Sequence, residues 1–255
     1  MKAVSLQSGS NGNCIYVETK DLRILFDAGI SGIRAEERLN TIRRDIRDVD
    51  CLMISHDHTD HVRCAGIFGR KYGLDVRMTR KTHSAVMSSG WCGAIRGVSY
   101  FEPGEIISFG GTVIETIPTP HDGVDGVAFV VDDSRHRLGI LTDLGHVFDG
   151  LPELVAGLDG VFLESNYDVS MLENGPYPAF LKKRIKGEGG HISNVESAAL
   201  LSRAFAGKLK WACLAHLSEQ NNSPAIAIAT HRAVLGARAP LSVANRYEIS
   251  SLLSL

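Results

Sequence analysis

The chain has 255 residues, 44% of them hydrophobic and 22% charged, with a formal net charge of −2. That length and composition suit a globular chain with a substantial core. The near-neutral balance excludes a global basic field, so any nucleic acid has to be met by a local patch.

In chain order, "KAVSLQ", the loop "SGSNGN", "CIYVET", the turn "KD" and "RILFDAG" form a hairpin-like run of strands with turn residues between them. "SGIRAEERLNTIRRD" has helical spacing of Ile33, Leu39 and Ile42, with Ser31 as N-cap. "VDCLMIS" is a short buried strand that ends in the polar run "SHDHTDH"; "VRCAGIFGRKYG" is helical and "LDVRMT" is a strand. From Gly104 to Glu164 come "EIISF", "TVIETIP", "VAFVVDD", "RLGILTD" and "GVFLES", all strand-like. The last third returns to helix, with "NVESAALLSRAFAG" and "SPAIAIATHRAVLG" around the strand "WACLAHL". This order predicts an α/β chain of two mixed β-sheets packed face to face, with helices on the outer faces. It reads as a single domain, 1–255.

Five cysteines (Cys14, Cys51, Cys64, Cys92 and Cys213) are scattered and form no CxxC pair. That argues for free thiols in a reducing compartment. The opening "MKAVSLQSGSNGNC" has no leader-like apolar run, and no stretch is long and apolar enough to span a bilayer. The expected location is the cytoplasm, with no membrane partner and no obligatory protein partner evident.

The chemistry concentrates at "SHDHTDH", which holds His56, His58, Asp60 and His61. Imidazole nitrogen and carboxylate oxygen bind Zn²⁺ at about 2.0–2.2 Å, and catalytic sites keep one position open. In an extended segment His56 and His58 point to one side, which suits one ion. A helix starting after Thr59 turns Asp60 and His61 away, towards a second. Further ligands are expected at strand ends: His121 in "PTPHDG", Asp143 in "GILTDLG" and His216 in "CLAHLSEQNN". The assignment is His56, His58 and His121 on one ion, Asp60, His61 and His216 on the other, with Asp143 bridging. His136 reads as a turn residue, His83 and His231 as helix residues, and His146 as structural. Such a set accepts Zn²⁺ or Mn²⁺.

H-x-H-x-D-H followed by His, Asp and His at strand ends resembles the metallo-β-lactamase superfamily, whose fold is an αββα sandwich with a dinuclear site. The motifs "SGSNGN", "LFDAG", "SHDHTDH", "HDG", "TDLG", "LESNYD", "MLENGPYP", "LKKRIKGEGGHISN" and "HLSEQNN" resemble, in order, those of the WalJ/YycJ family. The resemblance implies a metal-dependent phosphodiesterase, a 5′-to-3′ DNA exonuclease linked to DNA repair, although many relatives carry a cyclic-phosphodiesterase label. Three positions depart from the family pattern: Tyr167 stands for a histidine, Asp57 for a glutamate and His146 for a tyrosine.

Two ions about 3.5–4 Å apart hold a bridging hydroxide and clamp a phosphate oxygen. Asp60 is placed to orient that hydroxide. His191, in "GEGGHISN" before a helix N-cap at Ser193 or Asn194, is the candidate for protonating the leaving oxygen or binding phosphate. Asn166, Asn221 and Asn222 are candidate substrate contacts, with a capping turn before Pro224 as the plain alternative for the last two. Glu164 is a candidate partner of a ligating histidine. Ser8, Ser10 and Asn11 are candidates to approach the site. The run "LKKRIK", with Lys182, Lys183 and Arg184, is the local basic patch for a DNA backbone, or else a solvated helix face. Tyr177 and Phe180 either stack on a base or pack on the sheet. Four functions remain: DNA exonuclease, cyclic ribose phosphate phosphodiesterase, thioester or lactam hydrolase, and metal-stabilised binding module.

Overall fold

The computed structural model describes residues 1–90, 92–95 and 97–255. Over these residues there are two β-sheets of seven strands each, and the chain divides into two compact units. Unit 1 comprises Met1–Pro118, Gly123–Ser134 and Asn245–Ser254; unit 2 comprises Thr119–Asp122, Arg135–Ala244 and Leu255.

In unit 1, β1 (Lys2–Gln7), β2 (Cys14–Glu18) and β3 (Arg23–Phe26) are antiparallel, and Leu253–Ser254 pairs antiparallel with β1. From β3 the pairing turns parallel through β4 (Cys51–Met53), β5 (Asp75–Met78) and β6 (Ser99–Tyr100). Every residue of β4 is buried, as its unbroken apolar run requires of a central parallel strand. The antiparallel meander β7 (Ile106–Phe109), β8 (Thr112–Pro118) and β9 (Val127–Asp132) completes the strands of this unit.

Its helices are α1 (Gly32–Thr41), α2 (Thr59–Val62), α3 (Ala65–Tyr72) and α4 (Arg80–Ser89). Ser31 caps α1 as expected, accepting from Arg34 N. The buried face differs from the expected one. Gly32, Ala35 and Leu39 face the core, while Ile33 is 60% exposed. Ala35 and Leu39 are one turn apart, whereas Ile33 lies six residues from Leu39 and so falls off that stripe. The core gathers Val4, Leu6, Tyr16, Leu25, Leu52, Phe68 and Val76.

In unit 2, β10 (Arg137–Leu141), β11 (Gly160–Glu164), β12 (Trp211–Ala215) and β13 (Leu241–Val243) are all parallel. The helices are α5 (Leu151–Ala156), α6 (Val169–Asn174), α7 (Ala179–Lys186), α8 (Asn194–Phe205) and α9 (Pro224–Leu235). Phe162 and Trp211 meet edge to face at 5.6 Å. Tyr177 packs on the small cluster of Tyr167, Leu172 and Ile185, while Phe180 is 75% exposed. Among the described residues no helix is long and apolar enough to cross a membrane. All five cysteines are free thiols.

In both units the polar residues of interest leave the carboxyl ends of parallel strands, where α/β sheets place their ligands. Asp27 and Ser55–His61 follow β3 and β4; Asp143, Glu164 and His216 stand at the ends of β10, β11 and β12. His191 lies just before α8, whose start is fixed by a full capping box between Ser193 and Glu196. Ser193→Ala is expected to cost about 1 kcal/mol, seen as a lower thermal midpoint. An unchanged midpoint would show that the cap contributes nothing.

Candidate metal centre

The unit 1 cluster is built around Asp27. This residue is 4% exposed and holds a left-handed backbone, φ 66°, immediately after β3. Its Oδ1 accepts the Ser55 N–H at 2.8 Å, and its Oδ2 meets the Ser55 hydroxyl at 3.1 Å and His61 Nδ1 at 2.7 Å. Ser55 Oγ also lies 2.9 Å from His56 Nδ1. One buried carboxylate therefore sets the start of the motif and the ring of its last histidine. His58 stands at the N-cap of α2, and that single turn carries Asp60 and His61. The ring of His56 lies 4.6 Å from that of His58 and 4.3 Å from that of His61. Asp60 Oδ2 is 3.6 Å from His61 Nε2. Asp57 has a different task, accepting from Val124 N at 2.8 Å.

The unit 2 cluster is built around Glu164, which is fully buried. Its Oε1 lies 2.7 Å from His191 Nδ1 and 3.2 Å from His216 Nδ1. Its Oε2 accepts from Leu144 N at 3.1 Å and Ile192 N at 3.3 Å. Burial alone would push this carboxyl up, but the charge and hydrogen bond of His191 and the hydrogen bond of His216 outweigh it and hold it at about 2. The group is ionised at neutral pH. Its contribution to stability is complete above the ordinary value of 4.5 and is lost as pH falls towards about 2.

Asp143 and His216 both adopt left-handed backbone, φ 56° and 55°. Such conformations cost about 1–3 kcal/mol each and persist where surroundings enforce them, commonly at functional sites. Asp143 Oδ1 is 3.6 Å from His121 Nε2, 3.6 Å from His191 Nδ1 and 3.4 Å from His216 Nδ1. His121 Nδ1 donates to the Gly190 carbonyl at 2.8 Å. Ligand-type atoms of Asp143, Glu164, His191 and His216 all lie within 4.8 Å of one another.

A common rule runs through both clusters. His61, His121, His191 and His216 each present Nδ1 to an oxygen that accepts: Asp27, the Gly190 carbonyl, and Glu164 twice. In His61, His121 and His216 that fixes the tautomer with hydrogen on Nδ1 and the lone pair on Nε2, the arrangement of metal-binding histidines. Imidazole nitrogens and buried carboxylates make a donor set that fits a divalent cation.

The other residues singled out from sequence fall as follows. Asn166 Nδ2 donates to the His216 carbonyl at 2.8 Å and so braces that left-handed turn. Asn221 is fully buried, its amide 3.3 Å from Ser218 Oγ. Asn222 donates to the Ser165 and Asn166 carbonyls at 2.8 and 3.1 Å, ahead of the N-cap Ser223 of α9. On α7, Arg184 grips Asp122, the neighbour of His121, with two hydrogen bonds of 2.6 and 2.8 Å. Lys182 donates to the Glu173 carbonyl at 2.7 Å, Lys186 pairs with the Glu173 carboxylate, and with Lys183 they line a shallow recess. His231 is fully buried and bonded to Ala227 O and Ser197 Oγ. Sequence reasoning passed over Asp27 as an orienting group. The signal was available, because "LFDAG" places a carboxylate at an apolar strand's end just as "ILTDLG" does.

Residues 8–172 match the model of the metallo-beta-lactamase superfamily. The chain is 38% identical over 221 residues to exodeoxyribonuclease WalJ of Streptococcus pneumoniae, covering 85% of this chain and 81% of that one. It is 32% identical over 222 residues to exodeoxyribonuclease YycJ of Bacillus anthracis, covering 87% and 84%. Among solved structures, Zn²⁺-bound PqqB from Methylobacterium extorquens aligns over 100% of both chains with a TM-score of 0.74 at 17% identity, a likeness of fold alone. The chain belongs to the metallo-beta-lactamase superfamily and, within it, to the WalJ/YycJ family of metal-dependent hydrolases. The expected α/β architecture of two mixed sheets with helices is met.

Glu164→Gln removes the charge that orients two imidazoles. It is expected to weaken divalent-metal affinity about 10–100-fold, measured by equilibrium dialysis. Unchanged affinity would show that these rings need no carboxylate.

Proposed function

We propose that this chain is a DNA exonuclease acting 5′ to 3′, a phosphodiesterase that uses two divalent ions, Zn²⁺ or Mn²⁺. The observation that carries the reading is that His61, His121 and His216 commit Nδ1 to oxygen, leaving Nε2 for metal. Membership of a family whose relatives are named exodeoxyribonucleases supports the substrate class. The reading treats 1–255 as a single domain. From motif order, His56, His58 and His121 are assigned to one ion, Asp60, His61 and His216 to the other, and Asp143 to both. When bound, divalent ions supply Lewis acidity, making water acidic and offsetting charge on phosphate oxygens.

The chain's own residues do the rest. Asp60 orients the attacking water. Glu164 holds the His191 ring through Nδ1, and its negative charge favours the protonated ring, whose Nε2–H can pass to the departing oxygen. Asn166, Asn221 and Asn222 are proposed as substrate contacts, and Lys182, Lys183 and Arg184 as the patch for the phosphate backbone. A cytoplasmic location and a part in DNA repair go with this reading. The net charge of −2 favours the second reading, a cyclic ribose phosphate diesterase.

The test offers purified protein, with Mn²⁺ or Zn²⁺, end-labelled linear duplex DNA, circular DNA and a cyclic nucleotide. Linear DNA is expected to be degraded and circular DNA spared. Turnover of the cyclic diester alone would sink the exonuclease. Asp143→Asn is expected to lower activity by more than about 100-fold, the upper cost of losing a residue that merely orients a ligand. Equal rates from this variant would undo the ligand assignment.

A further inference from the structure

The glycine-rich loop between β1 and β2 reaches the ligand motif through Asn13. Its side chain is 4% exposed. Oδ1 accepts the Gly9 N–H at 2.8 Å and meets the Ser8 hydroxyl at 3.3 Å. A backbone N–H can only donate, so this contact fixes the amide with its oxygen towards the loop and its NH₂ towards the motif. Nδ2 then lies 3.0 Å from His61 Nε2, 3.3 Å from Asp60 Oδ2 and 3.4 Å from the Asp60 carbonyl.

The main chain makes this placement rigid. Asn13 N donates to Asp60 O at 2.7 Å, Gly29 N to Asn13 O at 2.9 Å, and Ala28 N to His61 O at 2.6 Å. A Cβ at Gly29 would stand 1.7 Å from Asp60 O and 2.5 Å from Asn13 N, so only glycine permits the approach. One at Gly12, φ 141°, would stand 2.3 Å from Gly29 O. Three segments, distant in sequence, are thereby locked around one amide.

We infer that Asn13 is a positioning residue, holding the Asp60 carboxylate in register for the ion that Asp60 and His61 bind. Asp27 fixes His61 from Nδ1; the Asn13 NH₂ rests on Nε2 until an ion takes that nitrogen, and then keeps its contacts to the Asp60 carboxylate and carbonyl. The same residue thus meets Asp60 at both its carbonyl and its carboxylate. The inference rests on the two-ion reading above.

The test titrates Co²⁺ into whole, metal-free protein, following the visible absorption bands of each ion and the thermal midpoint. Asn13→Ala is expected to bind one of the two ions about 10–100-fold more weakly, with its bands altered and the other ion held as in the parent protein. Asn13→Gln keeps the amide but carries it one methylene too far. It is expected to show the same one-ion loss and provides the reading if the alanine variant does not fold. Unchanged affinity for both ions, or equal weakening of both, overturns the inference and leaves the two-ion reading standing. A parent protein that binds no divalent ion overturns the two-ion reading, and this inference with it.

Discussion

The structure depends on buried carboxylates that grip imidazole rings. Asp27 and Glu164 are 4% and 0% exposed, and each meets a histidine Nδ1 at 2.7 Å. An isolated carboxylate would be very costly there. Each is instead supplied with backbone donors, Ser55 N for Asp27 and Leu144 and Ile192 N for Glu164, so that burial sharpens its hold on the ring. The consequence for function is a set of nitrogen lone pairs whose direction is decided before any ligand arrives.

The backbone serves the same end. Three residues that close these clusters, Asp27, Asp143 and His216, leave their strands in left-handed conformation. Continued extension would alternate these side chains between the faces of the sheet. The turn instead brings them off the strand end, and the neighbouring bonds sustain it: Met53 O receives Asp27 N, and Asn166 holds the His216 carbonyl. Strain at these points is the cost of aiming polar groups from apolar strands.

Much of this was legible in the sequence. Apolar strands ending in Asp or His pointed to Asp143 and His216, and "SHDHTDH" pointed to the cluster that its own histidines form. The partners were harder to read, because they are remote: Asp27 lies 34 residues from His61, Asp60 lies 47 from Asn13, and Glu164 lies 52 from His216. Periodicity reports which face of an element is apolar and cannot report which distant loop returns to it. The same limit explains Arg184, which sits in an obviously basic run yet makes its hydrogen bonds to Asp122, 62 residues away. Ile33 shows the converse, an apolar residue whose helix phase leaves it outside.

The central claim is that carboxylate and carbonyl oxygens fix these histidines with hydrogen on Nδ1 and leave Nε2 for metal. Ring-nitrogen ¹⁵N NMR of the protein, recorded before and after adding Zn²⁺, tests it most directly. His61, His121 and His216 are expected to show a protonated Nδ1 in both states, with Nε2 moving to a metal-bound shift on addition. Protonated Nε2 in these rings, or shifts indifferent to Zn²⁺, would contradict the claim.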